Sequence, residues 1–225
     1  MLICSLRDRA LKPMPILLYC IAKADALANK SLTGVACDPV IPVRVEGLSA
    51  FISSNADSSA WMKSRLRASA LEFHQVLTNV FRSGAIIPFR FPTTFETETE
   101  LTEHLTERSS EYTALLDKFS DLVQMEVRVT SPFKTQSESG AQYLKARQTA
   151  RLAIEKFEAE LRAALSSILK DWRHRASKEG IRAFALVARG GVAEFGKIMQ
   201  STPVPDGMKV RVSGPWPVSE FIQQS

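Results

Sequence analysis

Near its C-terminus the chain reads Val212-Ser213-Gly214-Pro215-Trp216-Pro217, followed shortly by Phe221-Ile222. No other segment restricts the fold as much. Each proline fixes its φ and removes a backbone donor, so the segment cannot close a sheet as a regular ladder. A C-terminal segment frays unless something holds it. Trp216, Phe221 and Ile222 supply apolar surface to be held. The expectation is a structural clasp, with Trp216 and Phe221 packing back across a seam between two domains.

The elements before the tail follow from hydrophobic spacing. Ile16 to Ala22 is an unbroken apolar run containing Cys20, the pattern of a buried strand. Val40–Val45 and Leu48–Ser53 read as strands joined by a tight Glu46-Gly47 turn. Pro42 places the first of these near a sheet edge. Asp57-Ser58-Ser59 opens a helix whose apolar face is Leu66, Ala70, Phe73, Leu77 and Val80, and Ser83-Gly84 stops it. Ala85 to Pro92 is extended. A second helix runs from Glu98 to Phe119, with Leu101, Leu105, Tyr112, Leu115 and Phe119 facing inward.

In the second half, Val123 to Val129 alternates as a half-buried strand and Ser131 to Gly140 is a polar linker. The longest helix is expected from Ala141 to Ser177. Its stripe is Tyr143, Arg147, Ala150, Ile154, Phe157, Leu161, Leu165, Ile168 and Trp172. At ~1.5 Å per residue it spans about 50 Å. A strand over Ile181–Ala188, a short helix over Val192–Met199 and a last strand over Met208–Val212 follow. Strand, long helix, strand, short helix, strand is a split βαβ, ferredoxin-like arrangement. The expected fold class is therefore α+β in two domains. Residues 14–120 form the first, and 121–225 form the ferredoxin-like second with its GPWP tail. Residues 1–13 are an N-terminal extension.

A length of 225 residues suits two small domains, and 45% apolar with 24% charged residues is globular composition. The charge of +5 owes much to Arg7, Arg9 and Lys12, and no concentrated basic stripe points to nucleic acid. Cys4, Cys20 and Cys37 are odd in number and form no CxxC, which reads as reduced thiols in the cytoplasm. No apolar run is long enough to span a membrane, and Lys23 and Asp25 interrupt the one run that resembles a signal peptide.

Catalytic signatures are missing. Gly190-Gly191 lacks the third glycine and the Lys-Ser/Thr of a phosphate loop, and no GxSxG elbow occurs. His74, His104 and His174 lie far apart without partners at metal spacing. No catalytic residue, metal or cofactor is expected. His74 reads as a boundary histidine on an apolar helix face. Glu98, Glu100, Glu103 and Glu107 read as acids complementing a helix N-terminus. Arg147, inside the apolar stripe, needs a carboxylate, and Glu126 is the candidate. Arg90, among prolines and phenylalanines, poses the same question. Both read as structural ion pairs or snorkelling arginines at a domain seam, with an anion site as the alternative.

Several segments, in order, carry a resemblance. The tail Ser213–Ile222 resembles the GPWPPYSFV-like ending of the gas vesicle protein F and L family. Ile16-Leu17-Leu18-Tyr19 is similar to the family's opening strand, and Phe73-His74-Gln75-Val76-Leu77 to its HExVL helix. Ile87-Pro88-Phe89-Arg90-Phe91 resembles LPLRF, and Glu126-Val127-Arg128-Val129 resembles ExxVKV. Gly140 to Arg147, with Tyr143 and Leu144, resembles GxxYLxxR, and Phe184–Val187 resembles AYLV. Gln75 and Pro92 depart from the pattern, as does Val218-Ser219-Glu220. The resemblance implies two α+β domains and a non-enzymatic accessory or minor structural role in building gas vesicles. Its implied partners are the gas vesicle shell protein and other gas vesicle accessory proteins, in the cytoplasm. The motif residues it singles out for structure or interaction are His74, Pro88, Arg90, Phe91, Glu126, Gly140, Tyr143, Leu144, Arg147, Gly214, Pro215, Trp216, Pro217 and Phe221. The alternative is a related α+β domain with a regulatory or anion- or small-molecule-binding role outside gas vesicles.

Overall fold

Apolar runs and alternating runs sort the chain into two compact units, which divide between Ala114 and Leu115. The computed structural model describes residues 15–24, 31–54, 58–130, 140–177 and 180–222, without the side chains of 58–64, 176 and 177. The expected extension 1–13, the residues around Asn29, the helix-opening Asp57 and most of the 131–140 linker lie outside the described residues.

In the first unit, β1 (Ile16–Lys23) is the central strand. It pairs with β4 (Leu48–Ser53) on one side and with β5 (Ile87–Pro88) and β6 (Thr94–Phe95) on the other. Every residue of β1 except Lys23 is buried, which explains a run with no polar alternation. Burial also raises the Cys20 thiol pKa, so Cys20 is an inert core residue. Beyond β4 come β3 (Pro39–Val45) and the short β2 (Leu32–Thr33). Glu46 and Gly47, at φ 51° and 79°, make the expected tight hairpin turn. β2 reaches only Pro39 and Val40, so Pro42 lies on a stretch of β3 with no outer partner among the described residues.

Helix α1 (Ser58–Phe81) packs Phe73 on Tyr19, ring centroids 4.8 Å apart. Its buried face is Ser69, Phe73, Val76, Leu77 and Val80. Leu66, expected on that face, is 54% exposed. The helix leaves helical geometry at Arg65 (φ −128°), so Leu66 stands at the start of its regular part, outside the buried face. His74 is exposed.

The expected single helix over 98–119 is two helices, α2 (Glu98–Glu107) and α3 (Ser109–Lys118). Arg108 breaks it at φ −110°, just before Ser109-Ser110, residues that compete with helical backbone bonding. Leu116 is buried, and Leu115, expected inward, is only half-buried. Thr97 accepts the Glu100 N–H at 3.1 Å, and the Glu100 carboxylate accepts the Glu96 N–H at 2.7 Å, so this acid belongs to the N-terminal cap.

The second unit contains β7 (Leu122–Thr130), α4 (Gly140–Ala164), β8 (Leu169–Ser177), β9 (Gly180–Ala188), α5 (Val192–Ser201) and β10 (Lys209–Trp216). Its sheet order is β10-β7-β9-β8, all antiparallel. The long helix expected to reach Ser177 ends at Ala164, and residues 169–177 form a strand instead. Ile168 and Trp172 are four apart, a spacing that serves a helix face and a strand face equally. Pairing along β9 decides it for the strand. Trp172 therefore lies on a strand and not at the end of the helical stripe. The last strand is also longer than Met208–Val212. It continues through Pro215 to Trp216, with a register shift between Ser213 and Trp216. Gly214 (φ 125°) and a cis Gly214–Pro215 bond occupy that shift. A Cβ on Gly214 would sit 2.9 Å from the Gln124 carbonyl oxygen, so glycine is required there.

Candidate functional site

Strand alternation gives the second sheet two unlike faces. One carries Val123, Met125, Val127 and Val129 of β7 and Ile181, Ala183, Ala185 and Val187 of β9, all buried. Trp172 and His174 of β8 share this face, since they pair with Ala185 and Ala183. Glu158 of α4, itself buried, reaches both. Its carboxylate accepts the Trp172 indole N–H at 2.7 Å and lies 3.0 Å from His174 Nδ1.

The opposite face is charged at its margins and apolar at its centre. Glu126 and Arg128 come from β7, Arg182 from β9, and Asp171, Arg173 and Arg175 from β8. Arg128 and Arg182 are directly paired across the strands, a like-charge juxtaposition. Glu126 neutralises it. Its carboxylate receives two bonds from Arg182, both 2.8 Å, and one from Arg128 at 2.9 Å. The Arg182 bonds, then Arg128, hold the Glu126 pKa below the ordinary carboxylate value. The expected Glu126–Arg147 pair does not form, because Arg147 is exposed on α4 and Glu126 is engaged on the sheet.

Phe184 and Leu186 occupy the centre of this face, and both are buried. The C-terminal tail crosses here. The Glu220 N–H donates to Gln124 Oε1 at 3.0 Å, on β7. Two strands further on, Arg173 of β8 donates to the Glu220 carbonyl at 2.7 Å. Arg175 Nη2 lies 2.7 Å from the Glu220 carboxylate. The Arg173 guanidinium sits 5.0 Å above the Phe221 ring. Val218, Phe221 and Ile222 are buried, while Trp216 and Pro217 are half-buried. The tail is thus tied down as expected, but these anchors all belong to the sheet of its own unit. Phe221, not Trp216, is its buried aromatic.

The remaining motif residues are scattered. Pro88 is buried opposite Cys20, and Phe91 is half-buried 5.2 Å from Phe73. Arg90 is exposed, and its carbonyl accepts the Thr93 hydroxyl at 2.7 Å. Gly140, Leu144 and Arg147 are exposed and Tyr143 is half-buried on the first turns of α4. Gln124, Arg173, Arg175, Arg182 and Glu220 were not singled out by sequence reasoning. The available signal was a charge at every second residue in Glu126-Val127-Arg128, Asp171-Trp172-Arg173 and Arg173-His174-Arg175. It was masked by the helical reading of β8.

Among the described residues, no three His, Cys, Asp or Glu side chains are placed to hold a metal ion, and no described helix is long and apolar enough to cross a membrane. Mixed helix and sheet in two compact units define the class, an α+β protein. The chain belongs to the family described as gas vesicle synthesis protein GvpL/GvpF, whose family model matches residues 15–223. Two solved structures share the fold. The gas vesicle protein GvpF from Anabaena sp. PCC7120 is 13% identical with a TM-score of 0.79, covering 94% of this chain and 97% of that one. GvpF from Microcystis aeruginosa is 16% identical with a TM-score of 0.74, covering 94% and 100%. No curated protein sequence matches the chain significantly.

Proposed function

We propose that this protein is an accessory or minor structural component of gas vesicle assembly that binds the shell protein and other vesicle proteins in the cytoplasm, without catalysing a reaction. The observation that carries this reading is the family match, which runs through both units rather than one. We take residues 14–120 and 121–225 as the two domains. The βαββαβ order and the strand order β10-β7-β9-β8 support a ferredoxin-like second domain. In this reading Pro88, Phe91 and Phe221 are packing residues. Glu126, Gly214, Pro215, Trp216 and Pro217 shape the second sheet and its strap. His74, Arg90, Gly140, Tyr143, Leu144 and Arg147 belong to the surface.

A binder of an aggregation-prone apolar subunit needs an exposed apolar surface or an open strand edge. The outer side of β3 from Ile41 to Val45 has no strand partner among the described residues, and Ile41 is 48% exposed. We assign shell-protein binding to this edge. The test is co-elution of the purified full chain with the shell protein in gel filtration. Co-elution that is weakened by Ile41→Lys is expected. A folded sample that fails to co-elute at high concentration overturns the assignment.

A further inference from the structure

Helix α4 has 25 residues, yet its buried side chains Ile154, Phe157, Glu158 and Leu161 all lie in its C-terminal half. From Gly140 to Ala153 no side chain is buried. At ~1.5 Å per residue this is about 20 Å of helix with no buried side chain. Helices in proteins are held mostly by an apolar face packed on something, and this stretch has an exposed apolar row. Leu144 is 63% exposed and Leu152 is 58% exposed. With Gln148 they form one row at i, i+4, i+8. Arg147 and Arg151 run along one side of that row, and Lys145 along the other.

The charge of the stretch is one-sided. Lys145, Arg147 and Arg151 stand there without a single Asp or Glu before Glu155. Cations near a helix N-terminus oppose the helix dipole, and the first turn holds no acid to offset it. Arg151 reaches Glu155 at 2.8 Å in an exposed pair, which contributes little. Arg147 has no carboxylate partner among the described residues.

We propose that the exposed half of α4 is a docking face for an acidic amphipathic helix of a partner protein. Its apolar stripe lies along Leu144 and Leu152, and its carboxylates meet Arg147, Arg151 and Lys145. Charge selects this occupant. A second copy of the chain would bring the same cations against one another. A membrane surface wants a broader apolar face with aromatic residues, and this face has two leucines with Gln148 between them. The inference rests on the reading that the chain works by binding vesicle proteins.

The test uses the folded full chain and a synthetic acidic helix of about three heptads, with leucines in a/d positions and glutamates flanking them. Two control peptides are a scrambled sequence of the same composition and a version with lysine in place of glutamate. Fluorescence anisotropy is expected to show the acidic helix binding at least about tenfold tighter than either control, and weakening with added salt. The R147E/R151E variant loses about tenfold or more, L144A/L152A loses comparably, and R147K/R151K keeps most of the affinity. These side chains are exposed, so the variants fold, which circular dichroism verifies. Equal binding of the scrambled peptide overturns the proposal, and so does unchanged affinity in R147E/R151E. Self-association, or binding to anionic phosphatidylglycerol vesicles in place of the peptide, also overturns it. Loss of peptide binding with shell-protein co-elution intact sinks this face alone. Peptide binding without co-elution sinks the shell-protein reading alone.

Discussion

Replacing Phe221 by alanine tests whether the tail strap holds the second unit together. The ring is 6% exposed and lies beneath the Arg173 guanidinium at 5.0 Å. An aromatic side chain buries ~200 Å², and at ~25 cal/mol per Å² that sets an upper bound of about 5 kcal/mol. Buried phenylalanine truncations cost about 3–5 kcal/mol. A tail can collapse into part of the vacancy, so the lower end applies, about 3 kcal/mol. Trp216 provides the contrast. It is half-buried, and its indole N–H reaches the Ser213 hydroxyl at a long 3.3 Å. Trp216→Ala should cost less than Phe221→Ala, about 2 kcal/mol, because part of the indole stays in water. Urea unfolding of the full chain, followed by far-UV circular dichroism, reads the difference. With a slope of about 2 kcal/mol per molar urea, Phe221→Ala lowers the midpoint by roughly 1.5 M and Trp216→Ala by about 1 M. Hydrogen exchange should localise the loss to β7 and β8, where the strap is anchored. If Trp216→Ala costs as much as Phe221→Ala, or if Phe221→Ala leaves the midpoint unchanged, the strap is not the element that secures this sheet.

Other expectations concern polar groups. Glu126→Gln leaves Arg128 facing Arg182 with weaker neutralisation, and urea unfolding should show a loss of about 1–2 kcal/mol. The Glu126 pKa is lowered in the folded protein, chiefly by Arg182, so its contribution is full above the ordinary carboxylate value and is lost as pH falls through the folded value. The variant should therefore show a shallower loss of stability in that acid range, and an unchanged acid limb refutes the coupling. Tyr19→Phe removes the hydroxyl that accepts the Val35 N–H at 2.9 Å and lies 3.1 Å from the Ser53 hydroxyl. Two polar groups then lose their partner, and melting should register a loss of about 1–3 kcal/mol. His104 shares a 2.8 Å hydrogen bond with the Tyr112 hydroxyl, and burial, then Arg108, lowers its pKa. The folded state thus binds fewer protons than the unfolded one, so the first unit loses stability as pH falls from about 6.5 towards the folded value. His104→Gln should flatten that slope, and a slope that persists unchanged assigns it elsewhere.

What the sequence made legible follows from which patterns are unambiguous. The run Ile16–Ala22 reads best as a strand buried on both faces, and Glu46-Gly47 as a tight hairpin, and both form. The tail's proline and glycine spacing required an irregular end, and the register shift at Gly214 is that irregularity. The failures occur where one spacing serves two periods. Leu165, Ile168 and Trp172 continue a helical stripe, while Asp171, Arg173 and Arg175 alternate with Trp172 and His174 as a strand. Only the pairing with β9 separates them, and that contact is nonlocal. Arg108 shows a smaller version of the same limit. No glycine or proline marks the break, yet one non-helical residue divides the expected helix in two.

Misreading β8 also hid the site. With residues 169–177 in a helix, Arg173 and Arg175 lie on no sheet and Glu220 has nothing to reach. Once β8 pairs with β9, the tail leaves the β10 edge, meets Gln124 on β7 and ends on the arginines of β8. At ~4.8 Å per strand it crosses about 14 Å and ties the first strand of the sheet order to the last. This gives the bent ending a physical reason. A regular β10 would carry the chain straight past the sheet edge. The φ of 125° at Gly214 instead accompanies the register shift from which the chain returns across the charged face. The prolines that prevent a regular ladder and the residues that anchor the strap are therefore parts of one device. Its energetic centre lies at Phe221 and Glu220, past the tryptophan that makes the segment conspicuous.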